Sequence, residues 1–319
     1  MTILLCDVGG THIRFAVSEL TGAMSQPEKM RVDSHRSLED AISRYLLAQS
    51  LSADSITHLY LAFSNRNSWS TEEAMLKTVL PKAAIMQVND FEANALGILV
   101  SDQSEVHTLF AGDGKICPRA SRVVLGVGTG LGLAYLFNAG GRSFIQRTHG
   151  GHMLPAVIRP EHLEIFQAIS EEKDDGTILI YEDVISGKGL FSLYTYICQR
   201  NQLNPEYHDA SDLLIAGKDD PVVLQALNIF FELLGIFTHQ AVAFGHSYGG
   251  VYLTGGVIDR LLGAGLFNTE AFLKGFHQKN VPVVVQDVMA TPIYWVRDEF
   301  VSLRGLLRHA LDERGHIDA

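Results

Sequence analysis

Short β-branched and apolar runs alternate with helix-period patterns through the first third of the chain. Residues 3–8 and 13–18 read as two strands joined across a glycine turn, and 28–33 as a third. From Ser37 onward, Leu38, Ile42, Tyr45 and Leu46 fall on one helical face, and Asp40 stands where a capping box places its carboxylate. A strand over 57–63, a helix over 70–79, a strand over 83–88 and a helix over 90–99 complete the order βββαβαβα. Residues 101–120, with Ser, Asp, Gly and Pro, predict a crossover between domains. The three-strand pattern then recurs at 122–127, 131–137 and 143–148. Helices follow over 160–171, 189–202 and from Pro221, which suits a first helical turn after a cap at Asp220. A strand over 250–254, further helices, a strand over 281–286 and a helix over 299–311 close the chain. Two sets of three strands with a glycine turn predict two related α/β halves, and 319 residues suffice for two domains.

Charge narrows the class of partner. The 25 basic and 36 acidic residues leave a net charge of −11 with no basic run, which argues against nucleic acid and against an anionic membrane surface. Cys6, Cys117 and Cys198 form no CxxC pair, as a reducing compartment permits. No basic segment precedes the first apolar run, so the expected location is cytoplasmic. Residues 123–141 and 233–258 carry no formal charge and are long enough to span a bilayer. Each holds six glycines together with polar residues, a composition that predicts loops at a ligand instead.

Five clusters carry candidate chemistry. In Asp7-Val8-Gly9-Gly10-Thr11 the glycines let backbone N–H groups approach an anion, Thr11 adds a hydroxyl, and Asp7 suits a hydrated Mg²⁺. A plain hairpin turn fits the same residues. The run Gly126-Val127-Gly128-Thr129-Gly130-Leu131-Gly132 lacks the GxGxxG spacing, and Gly187-Lys188 is followed by Gly189 where a P-loop needs Ser or Thr. Two Gly-Thr hairpins from matching halves point to phosphates gripped between domains. Gly255-Gly256 lets an adenosine approach the backbone or simply starts a helix. Asp90, beside Asn89 at a strand end, is a helix cap or a general base whose substrate hydroxyl Asn89 orients. His149-Gly150-Gly151-His152 brings two imidazoles together, with no third and fourth ligand spaced for zinc.

Taken together, these blocks resemble the bacterial ATP-dependent glucokinases of the hexokinase, acetate kinase, Hsp70 and actin superfamily. The match includes Glu182-Asp183-Val184-Ile185-Ser186-Gly187 and Gly249-Gly250-Val251 and runs nearly end to end. The resemblance implies two RNase H-like (actin-like ATPase) α/β domains with an interdomain active-site cleft. The small domain would comprise 1–100 plus 299–319, and the large domain 101–298. It implies that Asp90 is the base that takes the proton from the sugar 6-hydroxyl, and that Asn89, His152 and Glu182 bind other hydroxyls. Asp7, Gly9, Gly10 and Thr11 would serve Mg²⁺ and phosphate, Gly128, Thr129 and Gly130 would grip the phosphates of ATP, and Gly255 and Gly256 would lie by the adenosine. The implied substrate is glucose or a related hexose, and a homodimer is compatible with the family.

Three features depart from that pattern. His149 stands where the family has a glutamate that binds sugar, and a neutral imidazole cannot accept two hydroxyl hydrogen bonds as a carboxylate does. Residues 64–69 replace a longer segment of the sugar pocket. The glycine-rich start of the family's last helix is replaced by Tyr294-Trp295-Val296-Arg297-Asp298, with Gly305 as its remnant. Two functions therefore follow from the sequence. One is an active hexose kinase, and the other a nucleotide-binding paralogue with lost or altered sugar phosphorylation that acts as a regulatory or interaction protein.

Overall fold

The computed structural model describes residues 2–19, 22–63, 69–112, 120–139, 142–173, 176–217 and 219–313. The chain forms two compact units, one of Met1–Glu105 with Asp298–Ala319 and one of Val106–Arg297.

The first unit opens with β1 (Thr2–Val8), β2 (His12–Ser18) and β3 (Ser25–Arg31), an antiparallel meander. Helix α1 (Leu38–Ala48) starts as its sequence requires. Ser37 Oγ accepts from Asp40 N at 3.3 Å, while the Asp40 carboxylate reaches back to Arg36 N at 3.1 Å, one residue beyond the usual capping-box donor. Strands β4 (Ile56–Phe63) and β5 (Ala84–Asn89) flank α2 (Glu73–Val79), and α3 (Asp90–Val100) follows β5 directly. The sheet order is β3-β2-β1-β4-β5, with β1, β4 and β5 parallel. The interior position of β1 explains why its residues are buried on both faces. Leu4, Cys6 and Phe15 face α1, where the Phe15 and Tyr45 rings stack at 4.8 Å.

The second unit begins with β6 (Val106–Phe110), inside the stretch read from sequence as a crossover. This five-residue strand gains its definition from antiparallel pairing to a strand far along the chain, which no local pattern records. The hairpins of β7 (Arg122–Val127), β8 (Leu131–Ala139) and β9 (Arg142–Arg147) repeat the meander of the first unit. Helices α4 (Pro160–Glu171), α5 (Gly187–Arg200), α6 (Ala210–Ala216) and α7 (Pro221–Gly245) follow, of which α6 has no counterpart among the elements expected from sequence. Asp220 caps α7 by accepting from Val222 N and Val223 N at 2.7 and 3.2 Å.

Next come β10 (Val251–Thr254), α8 (Gly256–Gly263), α9 (Thr269–Phe276), α10 (Pro282–Ala290) and β11 (Ile293–Val296). The strand expected over 281–286 is therefore helical. Pro282 occupies the first helical turn, where its missing N–H costs nothing, and the β-branched run behind it forms α10. The strand lies later, where Ile293 pairs with Val251 of β10. The order is β6-β11-β10-β7-β8-β9. The chain then returns to the first unit as α11 (Val301–Glu313), whose Leu303, Leu306 and Leu307 cover the sheet face opposite α1.

The charge-free stretches resolve differently from expectation. Residues 123–141 include the β7–β8 hairpin, but the first half of 233–258 is helix rather than loop. Helix α7 is long and apolar enough to cross a membrane, yet two-thirds of its most apolar window is buried inside the fold, with Phe230, Phe231 and Phe237 in the core of its unit.

Candidate active site

In the first unit, the candidate residues gather where parallel strands end. Asp7 lies near the end of β1, and Asn89 ends β5, with β4 between them. Two strand spacings put these positions about 10 Å apart, at the carboxyl edge where open α/β sheets bind ligands. Asp7 is buried, and its Oδ2 accepts from Arg14 Nη1 at 3.1 Å and from Ser302 Oγ at 2.6 Å. Arg14 Nε is also buried and has no acceptor among the described residues. Gly9 N–H closes the turn on His12 O at 3.0 Å, which leaves Gly10 and Thr11 exposed at its tip.

The N-cap position of α3 belongs to Asn89, and Asp90 follows it. Asn89 caps α3, its Oδ1 accepting from Phe91 N at 3.1 Å and Glu92 N at 3.3 Å. Asp90 is the first helical residue, its Oδ1 3.0 Å from Phe91 N. Helix α3 rests directly on α11. A Cβ added at Gly305 would lie 1.7 Å from Ala93 O, and one at Gly97 would lie 1.9 Å from Val301 O.

In the second unit, the Gly128 turn meets two helix starts. Gly128 N–H bonds Gly130 O at 2.9 Å, and Gly128 O accepts from Gly187 N, the first residue of α5, also at 2.9 Å. Ser186 Oγ caps α5 through Gly189 N at 3.0 Å. A Cβ on Gly128 would sit 4.0 Å from Gly256 N, which begins α8. Gly255, at φ +105°, passes so near β7 that a Cβ would fall 2.5 Å from Val127 O. Thus Gly128 adjoins Gly256, and while Gly128 O and Ser186 Oγ take the Gly187 and Gly189 N–H groups of α5, the first turn of α8 has N–H groups with no intrahelical acceptor, which favour an anion there. Helix α5 starts at Gly187, two residues before the helix expected over 189–202. Its signal was the Ser186 cap.

Leu131 joins this turn to the remaining residues. Its N–H donates to Glu182 Oε2 at 2.8 Å, while a Cβ on Gly151 would lie 2.1 Å from its carbonyl oxygen. Met153 O accepts from Tyr181 N at 2.9 Å, so the Gly150–His152 turn and the Tyr181–Asp183 turn are tied side by side. His149 and His152 are exposed, with ring centroids 6.0 Å apart. No group of three or more His, Cys, Asp and Glu suited to a metal occurs among the described residues. Of the shortened segment 64–69, residues 64–68 lie outside the described residues, and Trp69 packs against the α1 side of the core.

The sequence model of the family described as Glucokinase matches residues 4–313. The chain belongs to the glucokinase family. A curated glucokinase of Mesorhizobium japonicum is 28% identical over 97% of this chain and 91% of its own length. The crystal structure of a glucokinase from an Antarctic psychrotroph is similar with a TM-score of 0.76 at 22% identity, covering 98% of this chain and 99% of that one. A ROK family glucokinase from Streptomyces griseus, in complex with glucose and AMPPNP, has a TM-score of 0.63 at 14% identity, covering 96% and 98%. The fold is thus the actin-like ATPase α/β fold of sugar kinases, with one mixed sheet in each unit. In this glucokinase family member the Gly128–Gly130 turn, Glu182 and Gly151 meet at one residue, Leu131.

Proposed function

We propose that this chain is a cytoplasmic, ATP-dependent hexose kinase that transfers the γ-phosphoryl group to the 6-hydroxyl of glucose or a related hexose. What carries the proposal is the double use of Leu131, which sets the Glu182 carboxylate one residue from the end of the Gly128–Gly130 turn. A hydroxyl-binding carboxylate beside an anion-binding turn is what a sugar kinase needs, since its chemistry is mostly positioning and charge neutralisation.

In this mechanism Asp90 takes the proton from the 6-hydroxyl as that oxygen attacks phosphorus. Asn89 has committed Oδ1 to its helix cap, so its amide NH₂ is the end that donates to a sugar hydroxyl. Glu182 and His152 hold further hydroxyls. The chain is acidic overall, so backbone N–H groups at the tip of the Gly128–Gly130 turn and at the start of α8 bear much of the phosphate charge. Asp7 fits Mg²⁺, a hard cation that keeps most of its waters and takes one or two carboxylates alongside phosphate. Bound there, the ion would neutralise charge on the transferred group.

A coupled ADP-release assay across hexoses and amino sugars, with Asp90→Asn alongside, tests the proposal. Sugar-dependent turnover that falls by about 10²–10⁴-fold in the variant is expected. ATP binding without turnover on any sugar would instead favour a regulatory nucleotide-binding paralogue.

A further inference from the structure

Asp7 is oriented by a residue 295 positions away. Ser302 lies in the first turn of α11, is 2% exposed, and donates its hydroxyl to Asp7 Oδ2 at 2.6 Å. Arg14 Nη1 reaches the same oxygen at 3.1 Å from the facing position on β2. With both donors on Oδ2, the carboxylate cannot turn about its terminal torsion without breaking two hydrogen bonds, one of them charge-assisted.

We infer that Ser302 is a positioning residue for the metal–nucleotide site, fixing the orientation of the Asp7 carboxylate that would serve the hydrated Mg²⁺ of the bound nucleotide. The identity of that ligand rests on the kinase function proposed above. Arg14 alone cannot serve this purpose equally well, because its positive charge opposes a cation at the same carboxylate. A neutral hydroxyl adds orientation without adding charge. The same helix also braces the candidate base, since Gly305 of α11 admits the Ala93 carbonyl of α3, the helix that Asp90 begins. One helix therefore steadies both carboxylates.

The test is calorimetric titration of ADP with and without Mg²⁺ into the wild-type chain, Ser302→Ala and Ser302→Thr, with melting temperatures for each. Ser302→Ala is expected to weaken Mg·ADP about tenfold, the scale of one hydrogen bond to a charged group. Metal-free ADP should bind as before, and Ser302→Thr should recover most of the loss. Equal weakening with and without metal, no weakening at all, or a threonine variant that melts normally yet binds like alanine would each overturn the inference. Should Ser302→Thr melt early, the ratio of the two affinities in Ser302→Ala decides alone. A wild-type chain that binds Mg·ADP more tightly than ADP but phosphorylates no sugar would sink the kinase proposal and leave Ser302 to be judged by that ratio. A wild-type chain indifferent to Mg²⁺ would overturn the role of Ser302.

Discussion

The Glu182 carboxylate accepts the Leu131 N–H through Oε2 at 2.8 Å, closing the strand that leaves the Gly128 turn from 51 positions further along the chain. On the proposed function Glu182 also binds sugar hydroxyls, and the two duties are separable. Glu182→Gln keeps an acceptor for Leu131 but loses the charge offered to sugar hydroxyls, so glucose KM should rise about tenfold with little change in melting temperature. Glu182→Ala also strands a buried N–H and should cost a further ~1–3 kcal/mol of stability, read by urea unfolding.

Asn89 separates in the same way. Asn89→Ala removes the cap of α3 and should destabilise the chain by about 1 kcal/mol. Asn89→Asp caps as well as asparagine, so stability should be retained while the donated amide is lost. The expected outcome is normal melting with impaired sugar kinetics, and normal kinetics in Asn89→Asp would remove Asn89 from the sugar site.

His149 is exposed and sits beside His152, where a family carboxylate is expected from sequence. His149→Glu should lower glucose KM while leaving ATP KM unchanged. Steady-state kinetics with each substrate varied in turn check this, and an unchanged glucose KM would mean that position 149 does not touch the sugar.

Gly305 admits the Ala93 carbonyl so closely that an added Cβ would lie 1.7 Å from it. Gly305→Ala must part α3 from α11, at a cost of roughly 1–3 kcal/mol or more. Because Asp90 begins α3, kcat should fall further than the loss of folded protein explains. Comparing kcat per folded molecule with the melting curve distinguishes the two effects.

Acid sensitivity centres on Glu232, on α7. Burial pushes its carboxyl pKa up, but hydrogen bonds from His162 and Lys274 and the charge of Arg159 outweigh burial and hold it at about 2, below the ordinary 4.5. The folded chain thus binds this proton less readily than the unfolded chain. The stabilisation is complete above pH 4.5 and drains away as pH falls toward 2. A shift of this size corresponds to about 3 kcal/mol. Glu232→Gln should lower stability at pH 6 and flatten its decline between pH 4.5 and 2, measured by urea unfolding across that range.

Much of this molecule is written locally. Period-2 and period-3.6 patterns place most strands and helices, Ser37 and Asp220 mark helix starts, and the glycine blocks mark the turns. Those signals are legible because side-chain alternation and capping act within a few residues. The chain's own order also shows that its meander occurs twice. Only tertiary structure decided the rest. The run behind Pro282 became a helix, and Ile293–Val296 became a strand, because β10 offers hydrogen bonds at Ile293 and the proline lacks an N–H. The short strand Val106–Phe110 exists through the same sheet. At the candidate site, sequence named Asp7, Asp90, Glu182 and the glycines, but not the hydrogen bonds made by Ser302, Gly187 and Leu131. Their roles depend on hydrogen bonds and close approaches between residues far apart in the chain, which folding alone brings within reach.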